Sequence, residues 1–163
     1  MGVIGHRIIG NSAQRGPRQA TGCECLHVAV NDASRVADAE LLPNETAASV
    51  VVFLDHSVAW LASRGVHVTA VMTDNAFCGT QRTDATTLAR HGHRHLRTRP
   101  YTPRTNGHAE RFIQTALREW AYAKPYRSSA ARAGALGPFL TSYNTTRPHT
   151  AHGRQPPISR LSA

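Results

Sequence analysis

The stretch Thr73-Asp74-Asn75, together with the run TNGHAERF (residues 105–112), carries the strongest fold signal of the chain, and 35 residues separate Asp74 from Glu110. Residues 66–72 (VHVTAVM) are a short β-rich run, which predicts Asp74 at the end of a strand. The Asn-Gly pair at 106–107 is a breaker before a helical run, so Glu110 is predicted in the first turn of a helix. Carboxylates at a strand end and a helix start are a common way to build an oxygen-rich site for Mg²⁺ or Mn²⁺.

The pattern around these residues predicts an α/β domain with a mixed sheet. Alternating apolar residues predict a hairpin over residues 26–42, and helical spacing then predicts a helix that ends near Gly65. The remaining predicted elements, in chain order, are the strand before Asp74, a short helix at 84–90, a strand at 95–99, the Glu110 helix with Trp120 on its buried face, and a last helix at 128–143.

Several further motifs follow in order along the chain. They are RPYTPRTNG at 99–107, AERFIQT at 109–115, REWAY at 118–122, Tyr143-Asn144 with Arg147-Pro148-His149, and PPISRL at 156–161. Together with the first stretch they resemble the integrase catalytic core of bacterial insertion-sequence transposases, which is of the retroviral-integrase-like D,D-35-E type. The resemblance covers roughly residues 20 to 163 and rests on ordered motifs rather than on one short pattern.

The resemblance implies a ribonuclease-H-like mixed sheet flanked by helices and a metal-dependent phosphoryl transfer on DNA. Asp74 and Glu110 would be the catalytic residues and the ligands of Mg²⁺ or Mn²⁺, with their carboxylates roughly 4 to 8 Å apart. The reaction would be cleavage of donor ends and strand transfer, and the partners would be transposon ends, target DNA and further copies of the chain. The residues expected to contact DNA are Tyr101, Arg104, Thr105, Asn106, His108, Arg111 and Arg118.

The resemblance also implies a first strand that carries the first catalytic Asp, and this strand is expected to lie before Met1. We therefore predict an irregular N-terminal remnant at 1–22, the catalytic core at 23–146 and a Pro-rich tail at 147–163, with a sheet that lacks its first strand. If residues 1–9 fill that place, they bring His6 and Arg7 instead of a carboxylate. Two hypotheses follow: an active transposase core, or a DNA-binding remnant without catalytic activity.

Three other positions were weighed as functional residues. Asp32 is the alternative third acid, but the resemblance puts it in a turn outside the catalytic set. The run His91-x-His93-x-His95 has a spacing that suits metal ligands on a strand, yet no acid lies beside it, so a solvated or DNA-facing patch is the preferred interpretation. His108 stands where the family usually has Lys, which replaces a permanent charge by a titratable one.

Composition favours a polyanionic partner. Nineteen Lys and Arg against ten Asp and Glu give a net charge of +9, and residues 94–132 contain nine basic and two acidic residues. Three cysteines, two of them only two positions apart at 23 and 25, argue against a disulfide framework and a zinc finger. No signal sequence and no run of transmembrane length is found, so we expect a cytoplasmic protein that does not contact a membrane.

Overall fold

The computed structural model describes residues 2–9, 23–73, 92–97 and 107–161. Its centre is a five-stranded sheet made of β1 (Gly2–Ile9), β2 (Cys23–Val30), β3 (Ala37–Leu42), β4 (Ala70–Thr73) and β5 (Arg94–Arg97). The strands lie in the order β3-β2-β1-β4-β5. Strands β1, β2 and β3 are antiparallel, whereas β4 and β5 join in parallel orientation. The prediction of a mixed sheet flanked by helices is confirmed.

Strand β1 is the main departure from the sequence prediction. Residues 2–9, which we assigned to an irregular segment, pair with β2 over their whole length, from Gly2 opposite Val30 to Ile9 opposite Cys23. The start of β1 also pairs with the end of β4, where Val3 lies opposite Thr73. The sheet of this chain therefore does not lack a strand between β2 and β4, and the expectation of an unfilled first position is wrong. The strand that fills it, GVIGHRII, contains no acidic residue.

Helix α1 (Ala47–Ala62) covers one face of the sheet. Thr46 caps the N-terminus of α1 by accepting a hydrogen bond from the Ser49 N–H. After the helix the chain turns at Gly65, whose φ of 76° favours glycine. Its buried side chains pack against β2 and β4 in a cluster that includes Ala29, Val50, Phe53, Leu54, Leu61 and Val71. The predicted helix ending near Gly65 is confirmed. None of the described helices is long and apolar enough to cross a membrane.

The opposite face of the sheet is covered by α2 (Gly107–Ala116), which continues as a π-helical segment from Leu117 to Ala121. The two segments pack with α4 (Leu136–Thr145) on a cluster that contains Leu26, Val28, Val30, Ala109, Phe112, Trp120 and Tyr143. Trp120 is 1% exposed and its indole N–H donates to the Arg132 carbonyl at 2.9 Å. Trp120 was predicted as a core residue, and this is confirmed.

The C-terminal segment binds the turn between β2 and β3. The predicted last helix is two helices, α3 (Ser129–Gly134) and α4, which meet at Ala135. Asn144 at the end of α4 accepts a hydrogen bond from the Ala37 N–H at 2.9 Å and donates to the Ala37 carbonyl at 2.8 Å. His152 lies 3.0 Å from the Ser34 carbonyl through Nε2. Because these buried bonds join residues more than 100 positions apart, the segment after Arg147 is part of the packed domain at this point.

Candidate catalytic and DNA-binding site

The ends of three strands lie side by side at one end of the sheet. Strand β2 ends at Val30 opposite Gly2, the first residue of β1, and the next residue of β1, Val3, lies opposite Thr73 at the end of β4. Asp74 follows Thr73 directly in the sequence but lies outside the described residues. The strand that leads into Asp74 was predicted to begin at Val66, and the structure confirms a strand there from Ala70. The chain therefore continues to Asp74 from this end of the sheet.

Helix α2 carries the second predicted catalytic acid, Glu110, in its first turn. Ala109 and Phe112 are buried in the cluster over β2, and this packing turns Glu110 toward solvent. Within the part of the chain that the structure describes, the Glu110 carboxylate forms no hydrogen bond and no ion pair. The predicted separation of Asp74 and Glu110 involves an undescribed residue and stays a prediction.

Asp32 lies in the turn after β2 and contacts the first turn of α2. Its Oδ1 accepts a hydrogen bond from the Arg35 guanidinium at 2.9 Å and lies 3.5 Å from His108 Nε2. Burial and the nearby Arg35 charge lower the pKa of His108 although Asp32 opposes them, so the ring is mainly neutral at pH 7. No sequence pattern predicted this contact, because the two residues are 76 positions apart.

The end of β4 is tied to the edge strand β5 by a side-chain hydrogen bond. Thr73 Oγ1 lies 2.9 Å from His95 Nε2, and Thr73 itself is buried. Of the histidine run, His93 and His95 are half-buried, whereas His91 lies outside the described residues. His95 is therefore partly engaged within the sheet, and the interpretation of the run as a solvated or DNA-facing patch stays a prediction. No group of three His, Cys, Asp or Glu side chains within the described ranges is arranged to bind a metal ion.

The predicted DNA-contacting residues fall into two sets. Arg111 and Arg118 lie with Gln114 on the exposed face of α2 and its π-helical continuation, as their spacing predicted. Arg118 donates to Glu119 at 3.1 Å, and Arg147 donates to the same carboxylate. Burial alone would raise the pKa of Glu119, but these two hydrogen bonds outweigh it and lower the pKa. Of the remaining predicted contacts, His108 is exposed beside Asp32, whereas Tyr101, Arg104, Thr105 and Asn106 lie outside the described residues.

Comparison with known proteins identifies the fold of the chain. Residues 91–157 match the family described as "Integrase core domain". No curated protein sequence matches the chain significantly. Among solved structures, a chain of the simian T-cell lymphotropic virus intasome, described in complex with PP2A regulatory subunit B56 gamma, is similar with a TM-score of 0.72 and 20% identity over 99% of this chain and 54% of that chain.

A second similar structure is the catalytic core domain of BIV integrase, with a TM-score of 0.66 and 22% identity over 99% of this chain and 93% of that chain. The chain spans about half the length of the simian virus chain and nearly all of the BIV core domain. The chain thus has the ribonuclease-H-like fold of retroviral integrase catalytic cores, and its residues 91–157 carry the sequence pattern of the integrase core domain.

Proposed function

We propose that the chain is the catalytic core of an insertion-sequence transposase that cuts transposon ends and joins them to target DNA. The observation that carries the proposal is the position of Glu110, which is exposed and unpaired among the described residues on a helix that packs over β1 and β2. The chain continues to Asp74 from the neighbouring end of the sheet, where β4 ends at Thr73. The ordered motifs support insertion-sequence ends, rather than viral ends, as the substrate.

The side chains at this end of the sheet supply some of the ligands that a divalent cation needs. Glu110 is exposed and has no partner among the described residues, and carboxylate oxygens are the donors that Mg²⁺ and Mn²⁺ prefer. We propose Asp74 as the second ligand, on the strength of its place directly after β4. A bound cation would activate the attacking oxygen and neutralise charge on the leaving oxygen. Glu110 and Asp74 would orient this centre, while the cations of α2 would bind the scissile strand.

A metal-dependent strand-transfer assay tests the proposal. Radiolabelled duplex ending in the inverted repeat of the element is incubated with the chain, a target plasmid and Mn²⁺. Glu110→Gln and Asp74→Asn should each lower the joining rate by at least about 100-fold, because each removes a ligand from the reacting centre. Glu45→Gln is the matched control, since Glu45 is an exposed acid before α1. Joining that survives Glu110→Gln would refute the catalytic assignment.

A second hypothesis is a DNA-binding domain without catalysis, and one observation favours it. Strand β1 occupies the central position of the sheet but contains no acidic residue among Gly2–Ile9. A site built from two carboxylates binds Mg²⁺ weakly, because the cation requires several hard oxygen ligands. On this hypothesis the chain binds DNA but joins no ends in the assay above, with or without Glu110.

Both hypotheses predict DNA binding that depends steeply on salt and little on sequence. If Arg104, Arg111, Arg118, Lys124 and Arg127 each contact a phosphate, log K should fall against log[salt] with a slope of about −4.5, a loss of roughly 500-fold between 50 and 200 mM. Replacing Arg104 and Arg111 by Ala should weaken binding to all sequences alike and reduce the slope by about 2. Fluorescence anisotropy with two unrelated duplexes measures both effects. An affinity that does not change with salt would contradict the assignment.

The partners of the proposed function are DNA and further copies of the chain. Joining two transposon ends requires that two active sites are held at a fixed separation, so we propose a homo-oligomer that forms on DNA. Light scattering of the chain with and without end-containing duplex measures this, and a monomer on saturating DNA would count against it.

A further inference from the structure

A row of exposed polar side chains follows Glu110 along α2 and its π-helical continuation. Arg111, Gln114 and Arg118 are exposed and are separated by three and four positions. Residues at these spacings lie on one face of a helix. Tyr122, which is also exposed, directly follows the last π-helical residue, Ala121.

The end of this row is shaped by a π-helical turn. The Tyr122 N–H donates to the Leu117 carbonyl, five positions earlier, at 2.9 Å. Turns of this kind are rare and are frequent at functional sites. The turn separates two neighbouring aromatic residues, because Trp120 is 1% exposed in the core whereas Tyr122 is 48% exposed. Tyr126 fixes the turn by donating from its hydroxyl to the Trp120 carbonyl at 2.9 Å.

The segment that contains Tyr122 carries exposed positive charge. After Glu119 the sequence contains no Asp or Glu through Ala163. Arg132 and Arg147 are engaged by Glu24 and Glu119, but Lys124 and Arg127 are exposed and form no ion pair within the described ranges. Lys124 Nζ lies 5.5 Å from the centre of the Tyr126 ring. An exposed aromatic ring followed within five residues by two exposed cations is a combination by which proteins bind single-stranded nucleic acid.

We propose that Tyr122, with Lys124 and Arg127, binds an unpaired base of the DNA strand beyond the C-terminal end of the helix that carries Glu110. The ring of Tyr122 stacks on the base, and the two cations contact the flanking phosphates. A single exposed tyrosine is unremarkable alone, but here it follows a π-helical turn and precedes two exposed cations. The inference rests on the proposed DNA substrate, and it adds a recognition element for frayed or overhanging ends at a distance from the catalytic residues.

Anisotropy titrations of the full 163-residue chain test the inference with two labelled duplexes of equal length, one blunt and one with a five-nucleotide single-stranded overhang. The unmodified chain should bind the overhang duplex more tightly. Tyr122→Ala should weaken binding to the overhang duplex about 10-fold, since the loss of base–aromatic stacking has effects of this size, and should change blunt-duplex binding less than about 2-fold. Tyr122→Phe, which keeps the ring, should bind as the unmodified chain does.

Val52→Ala is the matched control, because Val52 is an apolar residue 45% exposed on α1, on the other face of the sheet. It should leave both affinities unchanged. Equal losses on the two duplexes, a Tyr122→Phe defect as large as that of Tyr122→Ala, or no defect at all would overturn the inference. A Tyr122→Ala change in self-association, with unchanged overhang binding, would do the same and would assign the surface to a second copy of the chain.

The outcome can be separated from that of the proposed function. The binding titrations need no cation and no joining of ends, so the stacking site can be confirmed in a chain without catalytic activity. Conversely, strand transfer that depends on Glu110 while Tyr122→Ala binds the overhang normally would retain the transposase assignment and reject this site.

Discussion

Replacing Arg132 by Met is expected to lower the free energy of unfolding by about 3 kcal/mol. The Arg132 side chain is 6% exposed, and its Nε donates to Glu24 Oε2 at 3.1 Å while Nη2 donates to the same oxygen. The methionine fills part of the space, but it leaves the Glu24 carboxylate half-buried without this partner. Breaking one side of a buried ion pair is costly because the remaining charge has already lost part of its hydration.

Urea unfolding followed by circular dichroism measures the change, with Arg127→Met as the matched control. Arg127 lies five positions earlier and is exposed, so its replacement should change stability by no more than about 0.5 kcal/mol. The double replacement of Arg132 by Met and Glu24 by Gln should be less destabilising than the sum of the single replacements, since it leaves no unpaired charge. Equal effects at Arg127 and Arg132 would contradict the assignment of a buried pair.

Elements with a local sequence signature were predictable from the sequence. The alternation in residues 26–42 predicted the β2–β3 hairpin, and the spacing of Ile113 and Trp120 predicted which face of α2 is buried; the structure confirms both. The placement of Glu110 in a first helical turn followed from the Asn-Gly breaker. In each case a few neighbouring residues determine the outcome, because periodicity and helix-start signals act over one or two turns.

Features that depend on distant residues were not predictable. Strand β1 contains glycines at positions 2 and 5 and no clear alternation, and its place is fixed by eight paired positions along β2. The contact of Asp32 with His108 and the ion pair of Glu24 with Arg132 likewise join segments far apart in sequence. Such contacts leave no periodic pattern, since each consists of two isolated residues whose meeting depends on the whole fold.

Strand β1 fills its position in the sheet without an acidic residue, and this leads to a further prediction, a gain of cation binding in Ile4→Asp. Ile4 follows Val3, which lies opposite Thr73, so it is the β1 position at the end of β4. It pairs with Val28, which packs in the cluster under α2. Residues paired across antiparallel strands share a face of the sheet, so the change adds a third carboxylate on the face that carries Glu110.

Val3→Asp is the matched control, because Val3 pairs with Ala29, which belongs to the cluster under α1 on the other face. We expect Ile4→Asp to bind Mn²⁺ roughly 10-fold more tightly than the unmodified chain, since an added carboxylate supplies both charge and an oxygen ligand. Both variants lose stability in the absence of metal because a carboxylate enters the sheet, but only Ile4→Asp should regain melting temperature as Mn²⁺ is added. Calorimetric titration and thermal unfolding measure the two effects, and metal-dependent joining of DNA ends should become detectable in this variant.

Adding Glu110→Gln to Ile4→Asp should abolish the gain. An equal response of Val3→Asp to Mn²⁺, or a gain that persists without Glu110, would show that the first strand and α2 do not build a common cation site.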